Sequence, residues 1–342
     1  MTKLAWHSGS HLRAAPLGAV AALALLAGCA GAPGSVPSSN AVASGVEVAE
    51  LPEPRATKGE ASAAGADLRE FYASVEGNLT AAGRMRRETS PTDAPFTDDD
   101  LIRDFERIAL HDEYVDQGGR FVRAETPAQL RRWARPVRVA VMSSPSSSPE
   151  DAARDRANVA AFTRRLSHLT AHDVSMGQGT DVNFLVLFMS SAERNVFADQ
   201  VAALYPNFAP AVMQALRHPP VDIFCVTYGF SDHAAPSTYS AVMVLIPSEH
   251  PAFTRLSCVQ EEMAQAMGLP NDSAEARPSL FNDSKEFALL TDHDAILLRM
   301  LYDARLRPGM TSAEARPLLP DIARDARQAQ ANDASLTIAD AY

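Results

Sequence analysis

Two adjacent glutamates, Glu261 and Glu262, open the stretch EEMAQAMGLPND, with Gln265 three residues and Asn271 nine residues beyond Glu262. A carboxylate such as Glu262 is chemically suited to act as a general base on water. Glu261, Gln265 and Asn271 would surround it with one carboxylate and two amide oxygens. That donor set suits calcium, magnesium or manganese better than zinc, which favours imidazole or thiolate. A shift of one residue would bring Asp272 into the set in place of Asn271, giving two acids and an amide. Zinc hydrolysis needs three protein ligands and an open position for water, and this set supplies no imidazole. No cofactor is expected beyond a weakly bound divalent cation.

A helix must carry these residues if they are to act together. On a wheel of about 100° per residue, Leu256, Val259, Met263, Ala266 and Met267 form an apolar arc, with Glu261, Glu262 and Gln265 opposite. Ser257 and Gln260 have capping-box spacing for its start. Gly268 is a suitable stop, and Pro270 prevents continuation. Any solvated acidic helix would share this local pattern, so the neighbouring elements decide its weight. His293, between Asp292 and Asp294, reads as part of a helix start capped by Thr291, and His233 as a residue of an exposed turn. The chain has no GxSxG elbow, P-loop, GxGxxG or EF-hand loop.

Apolar periodicity places a helix along Leu68, Phe71, Val75 and Leu79, and a second along Leu101, Ile102, Phe105 and Ile108, opened by Thr97 to Asp100. Strands are expected at 137–142 (VRVAVM), 182–189 (VNFLVLFM), 222–228 (DIFCVTY) and 239–246 (YSAVMVLI). Between the first two lies a helix opened by Ser148 and Pro149, and Ser190 with Glu193 caps another. Strands separated by helices imply a mostly parallel, twisted α/β sheet. The expected organisation is a signal segment at 1–28, a flexible tether at 29–65 and a helical extension at 66–95. The main α/β (α+β) domain follows at 96–316, then a C-terminal helix with a frayed tail at 317–342.

Lys3 and Arg13, an apolar run at 14–26 and then Leu26-Ala27-Gly28-Cys29 form a secretory pattern with a lipobox-like end. Cys29 is the expected lipidation site, with acyl chains such as palmitate anchoring the chain to a membrane. Ala30, rather than an aspartate, follows it, so sorting to the outer membrane, facing the periplasm, is expected. The chain carries 42 acidic against 31 basic residues, a net charge of −11, which repels nucleic acid. Cys225 and Cys258 would meet an oxidising compartment, where they would form either a bridge or two separate buried thiols.

The spacing of Glu261, Glu262, Gln265, Gly268 and Asn271 resembles the metzincin pattern HExxHxxGxxH with every histidine replaced. Residues 278–283 (PSLFND) occupy the place of the methionine turn without a methionine. Residues 290–303 (LTDHDAILLRMLYD) resemble the C-terminal helix of matrixins. The resemblance implies a zincin-like fold with an antiparallel edge strand, with 239–246 as the edge strand bordering the cleft. The segments FTDDDLIRDFERIALHDEY, RRWARPVRVAV, EEMAQAMGLPNDS and LTDHDAILLRMLYDARLRPGM also resemble a bacterial lipoprotein family catalogued as domain of unknown function 2927. Together these imply an envelope lipoprotein with a degenerate metzincin-like domain, a pseudoenzyme that binds an extended peptide or an envelope protein at its cleft. A divergent metal-dependent hydrolase using Glu262 as base, and a purely structural lipoprotein, are the alternatives.

Overall fold

The computed structural model describes residues 61–205, 208, 210–217 and 224–339. The signal segment, Cys29 and most of the expected tether lie outside the described residues. The first helix, α1 (Ala61–Ala81), begins inside the stretch read as tether. Helix α2 (Asp98–Ala109) opens on a full capping box between Thr97 and Asp100, with three acids in its first turn. A hairpin follows, β1 (His111–Asp116) and β2 (Phe121–Pro127), which the sequence reading did not include. Its turn needs two left-handed residues, and Gly118 (φ 66°) and Gly119 (φ 86°) supply them.

Strand β3 (Val137–Ser143) leads into α3 (Pro149–Thr170), capped by Ser148. Then come β4 (Val174–Met176), β5 (Phe184–Met189), α4 (Ser191–Leu204), α5 (Pro210–Arg217), β6 (Val226–Ser231) and β7 (Tyr239–Pro247). The long helix α6 (Ala252–Gln265) carries the paired glutamates, and α7 (Asp292–Leu301), α8 (Ser312–Ala315) and α9 (Leu319–Ala339) complete the described chain. No described helix is long and apolar enough to cross a membrane.

The result is a mixed α/β fold around a five-stranded sheet of order β4-β3-β5-β7-β6. All neighbours are parallel except β6, which runs antiparallel to β7 at one edge. Side chains alternate between two apolar layers. Val139, Phe184, Val186, Val242 and Val244 join α2, α3, α6, α7 and α9 on one face. Leu185, Leu187, Met243 and Leu245 join α4 and α5 on the other. This double covering explains why β5 and β7 read as unbroken apolar runs.

One expectation is corrected here. Residues 239–246 do not form the edge: β7 is paired on both sides, with β5 and with β6. The edge is β6, whose residues include Thr227, Gly229 and Ser231, a composition that a half-paired strand tolerates better than YSAVMVLI. A second correction concerns the start of α6. It begins at Ala252, so Ser257 and Gln260 lie inside it. Glu76 of α1 accepts hydrogen bonds from Thr254 N (3.0 Å) and Thr254 Oγ1 (2.5 Å), and Gln260 Oε1 instead accepts from Leu290 N (2.8 Å).

At the other end of α6 the chain turns at Gly268, with φ 124°. A Cβ there would lie 2.1 Å from the Arg131 carbonyl oxygen. Trp133 Nε1 donates to Ala266 O (2.9 Å), and Tyr302 Oη to Met267 O (3.0 Å), closing the last carbonyls of the helix. Arg131 in turn holds Asp112 of β1 through two bonds of 2.6 and 2.7 Å, both side chains buried.

Gly268→Ala is therefore expected to destabilise the chain by about 3 kcal/mol or more, lowering Tm by roughly 6 °C or more at this size. Gly118→Ala has the same class of backbone but open space around it, and should cost about 1–2 kcal/mol. Thermal unfolding of both variants by circular dichroism checks this. Equal shifts would mean that the Arg131 contact relaxes freely.

Candidate functional site

A cavity of about 640 Å³ opens between the edge strand, α5, the hairpin and α6. Its acidic residues are Glu113 from β1, Glu261 and Glu262 from α6, and Asp272 and Asp283 from the loop after it. Arg120, Arg123 and Lys285 are its cations. Glu262 is buried, and its Oε2 accepts from Thr227 Oγ1 of β6 at 2.8 Å. Cys225, just before β6, is joined by a disulfide to Cys258 of α6. Helix and edge strand are thus tied together twice beside the glutamates.

The expected donor positions divide. Glu261 and Gln265 line the cavity with Glu262. Asn271 does not: it is buried against the end of α2, its Nδ2 donating to Arg107 O (2.9 Å) and its backbone N–H to Ile108 O (3.2 Å). The turn at Gly268 brings Asp272 to the wall instead, where it accepts from Gln265 Nε2 at 3.2 Å. The side chains that share the cavity are Glu261, Glu262, Gln265 and Asp272, not the set containing Asn271.

Burial is the main force on these acids. It pushes Glu262 and Asp272 well above the usual carboxylate range. The neighbouring Glu261 charge adds to the effect on Glu262, and Glu113 and Glu261 add to it on Asp272. Glu261 is raised by burial and partly restored by Lys285. Glu113 is raised by burial to about 7, with Arg123 opposing. Arg123 bridges hairpin and loop, 2.6 Å from Asp283 and 3.1 Å from Glu113.

Lys285 supplies the positive charge facing α6. Its backbone is left-handed (φ 53°), fixed by hydrogen bonds from Met85 N to its carbonyl and from its N–H to Asn282 O. Its Nζ lies 5.0 Å from the Phe224 ring centroid. The Glu261 charge raises its pKa, outweighing burial, with Asp272 and Glu262 adding to the effect.

A zinc ion of the metzincin kind does not fit these residues. Among the described residues no histidine lines the cavity, Asn271 is bonded to the end of α2, and Gln265 is committed to Asp272. Cys225 Sγ lies within 4.8 Å of oxygens of Glu261 and Glu262, but a disulfide sulfur offers no thiolate.

His293 is fully buried away from the cavity. Its Nε2 lies 3.0 Å from Asp104 Oδ2 and its Nδ1 3.4 Å from Asp294 Oδ1. Burial disfavours the imidazolium, but the two carboxylates outweigh it and raise the pKa. Thr291 caps α7 through Asp294, which also accepts from Ser279 Oγ and Leu280 N. His293 therefore belongs to the packing of α7 against α2. His233 lies in the exposed turn between β6 and β7.

Residues 98–321, more than half the chain, match the family described as protein of unknown function (DUF2927). The chain belongs to that family. No curated protein and no solved structure matches it. The cavity of the DUF2927 domain contains several residues that the sequence reading passed over: Glu113, Arg123, Thr227, Asp283 and Lys285. The hairpin residues had a readable signal in Gln117-Gly118-Gly119-Arg120, flanked by the β-favouring pairs Tyr114-Val115 and Phe121-Val122. Lys285 had none, because its place depends on a loop wrapping back beneath the helix.

The raised carboxyls set a pH dependence. The unfolded side chains ionise near 4 to 4.5, while the folded ones hold their protons higher, to about 7 for Glu113. Across that window the unfolded state is the more ionised, so the stability contribution of these groups falls as pH rises. Urea unfolding between pH 5 and 7.5 should show Glu262→Gln with a smaller fall than the native chain and a gain in stability at pH 7.5. Parallel curves would refute the assignment.

Proposed function

We propose that the chain is a lipid-anchored envelope protein, held at the outer membrane through Cys29, whose zincin-like domain binds a ligand without cutting it. The lipobox-like Leu26 to Cys29 supports the anchor. The zincin-like reading is supported by an antiparallel edge strand along the cavity and by the helix of paired glutamates beneath the sheet. The observation that carries the silent reading is Lys285. Its ammonium supplies positive charge to the acids a metal would need, and the third ligand position, Asn271, is turned away. An extended polypeptide laid along β6 by strand addition is the ligand class that suits such a cleft.

The runner-up is a metal-dependent hydrolase with Glu262 as general base. It is favoured by the concentration of raised carboxyls in one cavity, a pattern common at catalytic centres. A purely structural role is opposed by the open volume of about 640 Å³, which side chains leave unfilled.

The full chain, purified in detergent and dialysed against zinc, manganese or calcium, should retain well below one ion per chain by elemental analysis. It should leave a peptide mixture uncut by mass spectrometry. Lys285→Met should gain manganese binding, because the carboxylates lose their internal cation. Stoichiometric metal in the native chain, lost in Glu261→Ala, would overturn the silent reading.

A further inference from the structure

Four consecutive residues of β6, Val226, Thr227, Tyr228 and Gly229, line the cavity. Successive side chains of a strand point to opposite faces, so a space touching four in a row runs along the strand's edge. That edge is the unpaired one, since β7 takes the other. Among the described residues, no backbone hydrogen bond from another segment reaches it. The opposite wall is the hairpin, whose two strands pair with each other and not with β6. The cavity is thus bounded on one side by unpaired strand backbone, which a polypeptide matches and a small solute does not.

Its chemistry at the α6 end is selective in a second way. Among the described residues five acidic side chains line it against three cations, and one of those cations, Arg123, is already engaged with Asp283 and Glu113. Glu261, Glu262 and Asp272 are left facing Lys285. Glu262 is only 4% exposed, yet its Oε1 accepts no hydrogen bond from a described residue, Thr227 being held on Oε2. The Glu261 carboxylate likewise accepts none. One oxygen from each glutamate lies within 4.8 Å of the other, so a single cationic nitrogen at about 2.8 Å would reach both.

We propose that the occupant is an extended polypeptide segment carrying a lysine or arginine, paired along β6 with its basic side chain between Glu261, Glu262 and Asp272. This rests on the reading that the cavity binds a peptide, and adds which side chain it selects. Lys285 leaves room for that second cation because it balances only part of the charge. A ligand with an acidic side chain at the same place would add a further buried acid to Glu261, Glu262 and Asp272 with no described cation there beyond Lys285 to balance it, and would be disfavoured.

Fluorescence polarisation with the full chain in detergent tests this, using short blocked peptides of alternating threonine and valine with a central lysine, norleucine or glutamate. The lysine peptide should bind at least about tenfold more tightly than the norleucine peptide, and the glutamate peptide should not bind. Asp272→Asn and Glu261→Gln, each checked for an unchanged fold by circular dichroism, should bring the lysine and norleucine peptides within about threefold of each other. N-methylation of alternate peptide nitrogens on the paired side should abolish binding. Equal affinity for lysine and norleucine, indifference to N-methylation, or no binding at millimolar peptide would each overturn the inference. Mass spectrometry of the same peptides after incubation with manganese separates the two claims. Cleavage would end the silent reading and leave the lysine preference standing, whereas intact peptides without any preference would do the reverse.

Discussion

The close approach of Gly268 to the Arg131 carbonyl fixes where the chain goes after α6. A side chain there has no room, so the helix end and the 130–133 segment come nearer than ordinary packing allows. From that contact the structure spreads in two directions. Arg131 reaches forward to Asp112 and anchors the base of the hairpin, one wall of the cavity. Beyond Gly268 the backbone swings Asn271 under α2 and Asp272 into the open space. One glycine therefore bears on both the placement of the hairpin wall and the identity of the acid that reaches the cavity. The usual reason for a glycine at a helix end is conformational; here steric exclusion adds to it.

Electrostatics then decides what this arrangement can hold. Carboxylates packed this closely do not all stay ionised without positive charge nearby. In this cavity Lys285 and Arg123, both attached to the chain, supply such charge. A tethered ammonium has a fixed position and no vacant coordination site, so it stabilises anions without activating water. Burial, with the neighbouring carboxylates adding to it, pushes Glu262 and Asp272 upward, and Lys285 offsets only part of that effect. The same arrangement explains why a base-like glutamate beside a cavity is not by itself evidence of hydrolysis.

Much of the fold was legible because local chemistry and tertiary placement agreed. Ser148, Ser190, Thr97 and Thr291 each signalled a helix start that depends on only three following residues. The apolar runs at 182–189 and 239–246 were legible as strands. Edge order was not legible, since pairing partners are set by crossovers far apart in sequence, and nothing local distinguishes the edge strand β6 from the doubly paired β7. The start of α6 carries no local side-chain cap: the carboxylate that accepts from its first turn, at Thr254 N, is Glu76, 178 residues away. In the cavity, spacing identified Glu261, Glu262 and Gln265, which share one helix. It failed at Asn271, where a turn intervenes, and at Lys285, whose place is set by long-range packing.

The double fastening of β6 to α6 bears on how such a cavity works. The Cys225–Cys258 bridge and the Thr227–Glu262 hydrogen bond join edge strand and helix within three residues of one another along β6. A cleft whose edge is fixed to its floor changes shape little when a ligand arrives, so less ordering entropy opposes binding. The opposite wall is fastened differently. The hairpin crosses to the loop through Arg123, with Asp283 and Glu113, and Arg123 and Asp283 are substantially exposed. Exposed ion pairs of this kind hold weakly, about 1 kcal/mol or less. The base of the hairpin is held by the buried Arg131–Asp112 pair, so any yielding of this wall falls toward its tip, beside Arg123.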